Sequence, residues 1–218
     1  MEFTRPAEIE RESMRIIDGE LAARGIVLRP ELAPVVKRVI HTTADFDYAA
    51  SLRFTADAAQ KGAAALRGGV IVTDTNMARA GVSRAAAEKM GCEVDCYMAD
   101  EAVAAEAKAR GVTRAVASME RALSEHPNAV LAIGNAPTAL LRVCEAIEAG
   151  ARPALVIGVP VGFVNVTESK ERAFAVCERF GIPAIVAMGR KGGSNVAAAI
   201  CNALLYTAAG LLEPEKRQ

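Results

Sequence analysis

Apolar residues recur along the chain in two rhythms, one of helical period and one of short unbroken runs. Near the start, Ile9, Ile16, Ile17 and Leu21 repeat at helical spacing. Pro6 stands where a first helical turn tolerates it and Gly25 follows as a stop. A second helix is predicted over Pro30–Ile40, with Leu32, Val35, Val36, Val39 and Ile40 on its apolar face. The segment Asp45–Thr55 favours neither helix nor strand, and an Ala-rich helix then leads to Gly68 and Gly69.

From there, runs of strand length occur at Val70–Thr73, Glu93–Tyr97, Ala129–Ile133, Ala154–Val159 and Ala184–Met188. Helical stretches separate them, over Ser83–Met90, Glu101–Arg110 with Thr113–Glu125, Pro137–Glu148 and Lys170–Phe180. A last helix covers Ser194–Leu211. Strands without polar alternation, separated by helices, indicate a parallel sheet covered on both faces. The expectation is one α/β domain over residues 1–218, a flavodoxin-like, doubly wound, parallel five-stranded sheet with two N-terminal helices.

That architecture points to a ligand site beyond the carboxyl ends of the strands. The segments there are Asp74–Met77, Gly134–Thr138, Pro160–Phe163 and Gly189–Ser194, rich in Gly, Pro and small polar residues. Each opens a helix, whose first N–H groups and dipole favour anions. Arg190 and Lys191 add positive charge to the last loop. A single such loop reads equally well as a tight turn with a cap; four together favour a ligand. Neither a Walker A loop nor G-x-G-x-x-G after the first strand is present, so nucleotide sites are poorly supported.

Composition narrows the classes. The 26 basic and 26 acidic residues cancel, and there is no Trp, which disfavours nucleic acid as a partner. Five dispersed Cys read as reduced thiols of a cytoplasmic protein. Cys92 and Cys96 lack a second pair to complete a zinc site, so no metal is expected. Val196–Leu212 carries Asn202 and Thr207 and falls short of the ~20 strongly apolar residues of a membrane span. It reads as a buried helix, and no membrane association is expected. The charged N-terminus lacks the apolar stretch of a signal peptide.

Among candidate chemical groups, His41 stands three residues after Arg38, both away from the apolar face of their helix. A neighbouring guanidinium disfavours the imidazolium and helps the ring exchange a proton near neutral pH. On spacing alone, a lone His is more often structural. Ser13 shares a helical face with Ile9, Ile16 and Ile17, and either bonds back to a helix carbonyl or meets a ligand. Asp45 and Asp47 either orient His41 or cap the next element. Arg79, Arg84, Arg114 and Arg121 fit solvated helix faces as well as anion contacts. His126, at a helix end before Pro127, reads as a solvated or capping residue.

The loops resemble those of the precorrin-8X methylmutases. The matching segments are Ile133-Gly134-Asn135-Ala136-Pro137-Thr138-Ala139-Leu140 and Gly158-Val159-Pro160-Val161-Gly162-Phe163-Val164 with Glu168-Ser169-Lys170. Gly189-Arg190 with Gly192-Gly193-Ser194 is similar to that family's last glycine loop. Asp74 and Met77 with Gly81-Val82-Ser83-Arg84 resemble its segment after the first strand. Arg38-x-x-His41 followed by Thr42-Thr43-Ala44-Asp45 matches the stretch with its catalytic histidine, and looks closer to the cobalt-route members.

The resemblance implies an intramolecular methyl shift from ring carbon 11 to ring carbon 12 of precorrin-8X or cobalt-precorrin-8, in cobalamin biosynthesis. The product is hydrobyrinic or cobyrinic acid, an isomer of the substrate, so no cofactor is expected. It implies His41 as proton donor and acceptor, and a homodimer. Ser13 and Arg38 match positions that contact substrate. Arg84, Arg114 and Arg190 are the expected receptors for its acetate and propionate groups, and Ser83, Asn135 and Ser194 complete the set. The rivals are a non-catalytic tetrapyrrole carrier and a transferase of phosphorylated or S-adenosyl substrates.

Overall fold

The computed structural model describes residues 5–217. Helices α1 (Pro6–Ala23) and α2 (Ala33–Thr43) form where the apolar spacing predicts helices, but α2 runs three residues later than Pro30–Ile40, with Leu32 before its first turn, and Ile9 and Ile16 of α1 are exposed rather than buried. The segment that favoured neither state divides into a short helix α3 (Tyr48–Ser51) and a strand β1 (Leu52–Phe54). Alternation then takes over: α4 (Ala58–Ala65), β2 (Val70–Thr73), α5 (Asn76–Gly81), α6 (Arg84–Met90), β3 (Glu93–Asp95), α7 (Glu101–Arg110) and α8 (Arg114–Glu125). The chain continues through β4 (Val130–Ile133), α9 (Pro137–Glu148), β5 (Leu155–Gly158), α10 (Val166–Phe180), β6 (Ala184–Ala187) and α11 (Ser194–Ala209). A 3₁₀ turn at Pro214–Arg217 follows.

The sheet has six strands, not five, in the order β1-β6-β5-β4-β2-β3. The added strand, β1, lies antiparallel to β6 with Leu52 opposite Ala187 and Phe54 opposite Ile185. It escapes a search for apolar runs because it is three residues long, with Arg53 exposed between its neighbours. An edge strand has one partner and faces solvent on its other side, so it needs no continuous apolar run. Thr55 fastens its end, donating to the Ile182 carbonyl at 3.3 Å and accepting from the Ala184 N–H at 2.8 Å.

Alternate residues of the central strands feed two cores. Ile71, Val130, Ala132, Leu155, Ile157, Ile185 and Ala187 join α2, α4 and α11 on one side. Val72, Leu131, Ile133, Val156, Ala184 and Val186 join α8, α9 and α10 on the other. Helix α11 is buried along most of its length, as a closing core helix requires, and α1 covers α2 from outside through Ile17 and Leu21. None of the described helices is long and apolar enough to cross a membrane. The order reverses at β2, which has β3 on one side and β4 on the other. Loops leaving the carboxyl ends of β2 and β4 therefore meet at a topological switch.

Candidate functional site

Val35, Val36, Val39 and Ile40 of α2 are buried among the residues of α11, which turns Arg38 and His41 toward α1 and the C-terminal turn. There, Arg38 Nη2 meets Glu10 Oε1 at 2.6 Å. Arg217 Nη1 donates to both oxygens of the same carboxylate, at 2.7 and 2.9 Å. Both guanidinium groups lie over the Tyr206 ring, 5.2 Å from its centroid for Arg38 and 4.3 Å for Arg217. Half-burial is the main reason the His41 imidazole titrates below its ordinary range. The charge of Arg38 pushes the same way, Glu10 opposes, and Arg217 adds a smaller push. His41 is thereby held neutral near pH 7, beside a cluster that carries a net positive charge.

A groove of about 490 Å³ adjoins this cluster, lined by Ser83, Tyr206, Leu211 and Arg217 among others. Helix α11 contributes Tyr206 to it and, with residues four apart, holds the turn that leads to Ser83. Asn202 donates to the Gly81 carbonyl at 2.9 Å and accepts from the Ser83 N–H at 2.7 Å, fixing the turn before α6. One turn earlier, Ala198 packs so closely on Gly81 that a Cβ there would stand 2.8 Å from the Ala198 methyl. Ser83 caps α6, its hydroxyl accepting from the Ala86 N–H at 3.4 Å. A larger concavity of about 630 Å³, with Arg79 and Arg84 on its wall, lies beside β3 and away from His41.

At the switch, the N–H groups that open α9 are already taken. The buried Asp74 carboxylate accepts from Gly134, Asn135 and Ala136, each at 2.8 Å. Burial raises its pKa and the three donors oppose the rise. An internal anion thus fills the cradle that the loop alone offered to a ligand. Thr75 and Ser194 share a hydroxyl hydrogen bond at 2.7 Å across the same junction. A Cβ on Gly134 would stand 2.8 Å from Ser194 Cα, and one on Gly192 would stand 2.1 Å from the Val159 carbonyl oxygen. These two glycines are therefore required by close backbone approach.

The last glycine loop is held from beneath and from the side. Lys170, fully buried, donates to the carbonyls of Gly189 at 2.9 Å and Lys191 at 2.7 Å. Burial brings its pKa down to about 8. Lys191 reaches Asp45 and Asp47, both at 2.6 Å, and joins the loop to the end of α2. These carboxylates therefore serve Lys191 and not His41. Arg190 remains exposed over the Phe163 ring at 5.6 Å.

The decisive comparison is with family sequences: a model of the precorrin-8X methylmutases matches residues 8–207. The chain belongs to that family. A relative from Priestia megaterium named cobalt-precorrin-8 methylmutase is 43% identical, covering 92% of this chain and 87% of its own. One from Pseudomonas aeruginosa named precorrin-8X methylmutase is 39% identical, covering 90% and 93%. The solved structure of precorrin-8X methyl mutase from Thermus thermophilus has a TM-score of 0.84 at 42% identity, covering 93% of this chain and 96% of its own.

Set against the sequence expectations, the fold gathers the site residues into two groups. Arg38, His41 and Ser83 stand near the end of α11, where Tyr206 lies under Arg38 and shares a groove with Ser83. Ser13 lies one turn beyond Glu10 on α1, its hydroxyl on the Ile9 carbonyl at 2.9 Å. Asn135, Ser194 and Arg114 gather at the switch, where a 3.3 Å contact between the Thr113 and Thr138 hydroxyls brings the start of α8 to that of α9. Arg84 is 90% exposed and paired with Glu88 at 2.8 Å. Sequence reasoning missed Glu10, Tyr206 and Arg217, whose convergence leaves no local spacing to find. Tyr206, four residues beyond Asn202 on the closing helix, was the accessible signal.

Proposed function

We propose that the chain catalyses the methyl shift from ring carbon 11 to ring carbon 12 of precorrin-8X or cobalt-precorrin-8, giving hydrobyrinic or cobyrinic acid. The observation that carries this reading is a neutral, half-buried His41 beside Arg38 in a chain of this family. Neutral His41 takes up a proton, and its imidazolium, a stronger acid for its burial and the charge of Arg38, passes it to the conjugated ring system and makes the migration terminus electron-poor. The methyl group then moves with its bonding pair, and the proton returns to His41. Substrate and product are isomers, so the imidazole ends as it began. Positioning of the substrate and one proton transfer supply the rate.

Ser194 and Tyr206 stand about 18 Å apart along α11 at ~1.5 Å per residue, so only an extended ligand touches both groups of site residues. A macrocycle fringed with carboxylates fits that span and the positive charge at each end. On this reading Ser13, Arg38, Ser83, Arg84, Arg114, Asn135, Arg190 and Ser194 bind substrate. The relatives above include both substrate names, and the cobalt name accompanies the higher identity. We take the chain to be a single domain of flavodoxin-like type, supported by the order of its five parallel strands, and cytoplasmic, supported by its five free cysteines. Its assembly as a homodimer is supported by Ile9 and Ile16 of α1, which are 50% and 48% exposed.

The test is to incubate the purified protein with precorrin-8X and, separately, with cobalt-precorrin-8, following the absorption spectrum. Catalytic conversion to a corrin spectrum is expected, the faster substrate naming the route. A shift that stops at one equivalent would mean either firmly held product or a carrier, and extracting the bound macrocycle tells converted product from unchanged substrate.

A further inference from the structure

The cluster beside His41 holds one carboxylate between two guanidinium groups, in the arrangement of a receptor already filled from within. Glu10 takes one bond from Arg38 and two from Arg217, at 2.6, 2.7 and 2.9 Å. We propose that Glu10 is a resident stand-in for a carboxylate side chain of the tetrapyrrole, and that Arg217 is a further arginine of the substrate site. The inference rests on the reading of the chain as a methylmutase. Arg217 lies outside the residues 8–207 that the family model matches.

Three features make exchange physically reasonable. First, the receptor stays in place when its carboxylate leaves. The remaining donors of Arg217 hold the carbonyls of Leu211 at 2.8 Å and Leu212 at 3.0 Å, and the Tyr206 ring lies beneath both guanidinium groups. Second, the cluster is accessible: the side chains of Glu10, Arg38 and Arg217 keep 21%, 13% and 14% of their exposure beside the groove that Arg217 lines. Third, two cations face one anion while His41 is neutral, so an incoming carboxylate is attracted before Glu10 departs. In a half-buried setting that attraction is little screened by salt.

Arg11 and Glu215 make a second, exposed contact between α1 and the C-terminal turn at 2.5 Å, independent of Glu10 and Arg217. An internal carboxylate on the receptor also keeps two half-buried guanidinium groups from standing unpaired in the empty enzyme, at a cost in substrate affinity.

The experiment compares the full chain with R217Q, R217K and E10Q, measuring KM and kcat on precorrin-8X and cobalt-precorrin-8 together with thermal midpoints. R217Q is expected to raise KM about tenfold or more, the value of a lost charge-assisted carboxylate contact, with kcat within about threefold. R217K restores only part of the loss, because an ammonium cannot present the planar fork. E10Q is expected to lower KM severalfold, because the competitor is gone. A KM for R217Q within about twofold of wild type, or an E10Q variant whose KM rises as its midpoint falls, would overturn the proposal in favour of a structural bridge. If R217Q does not fold, E10Q decides alone, a lowered KM supporting the exchange and any other result sinking it. A wild-type protein that binds the macrocycle without converting it would defeat the methylmutase reading instead. The same variants, read through that binding constant, would still decide the role of Glu10.

Discussion

The Lys170 ammonium lies 2.9 Å from the carbonyl oxygen of Gly189, fully buried and paired with no carboxylate among the described residues. A charge placed so deep is tolerated because it donates to two carbonyls that the tight glycine loop cannot satisfy within itself. Lys170 links the motif on α10 to the loop that carries Arg190 and Lys191.

Its titration provides a test. Burial holds Lys170 near pKa 8, against 10.5 for an ordinary lysine. Between those values the unfolded chain binds the extra proton, so raising the pH favours the folded state. The unfolding free energy of wild type is therefore expected to gain on that of Lys170→Met from pH 8 to 10.5, with a slope difference approaching about 1.4 kcal/mol per pH unit. Urea titrations across that range measure it; parallel curves would show that Lys170 keeps an ordinary lysine titration in the folded protein.

For His41, the prediction separates chemistry from binding. His41→Ala is expected to lower turnover by about 10²–10⁴-fold, the usual worth of a general acid, with macrocycle binding close to normal. Arg38→Gln removes a cation that opposes the imidazolium, so the His41 titration moves up in pH. Histidine NMR reads this directly, since the chain has only two such residues and a His126 variant assigns them. An unmoved titration would mean that burial, and not the charge of Arg38, sets the state of the ring.

Asp74 is expected to act as structure. Asp74→Ala leaves three loop N–H groups without an acceptor and should destabilise by about 3 kcal/mol or more. Asp74→Asn keeps one oxygen in the cradle and should cost less. Denaturant midpoints rank the two, and equal losses would show that the charge matters more than the acceptor geometry.

Gly189 and Gly192 of the last loop should respond differently to alanine. At Gly192 a Cβ would stand 2.1 Å from the Val159 carbonyl oxygen and 2.8 Å from that of Pro160, so Gly192→Ala forces two backbone segments apart. At Gly189 nothing lies within 4 Å, and only the positive φ of 75° penalises a side chain. Its alanine variant should cost about 1–2 kcal/mol. Thermal melts of the pair check the ranking; a mild effect at Gly192 would show that the loop yields.

Much of this protein was determined by local sequence. Uninterrupted apolar runs such as Val130–Ile133 specify strands buried on both faces, because only a doubly covered sheet hides every side chain of such a run. Those runs placed five of the six strands, and the Arg38-x-x-His41 spacing set both side chains on one side of α2. Tertiary structure decided what depends on groups far apart in the chain. Leu52–Phe54 became a strand only because the β6 edge offered it partners, and a three-residue stretch carries too little apolar pattern to declare itself. The glycine loops looked like open cradles for anions, yet the Gly134 cradle was filled by Asp74, sixty residues earlier. Beside His41, Glu10 and Arg217 meet across 207 positions. Hydrophobic periodicity reports how each segment faces the core, whereas a pair of opposite charges reports nothing until the fold brings its members within a few ångströms.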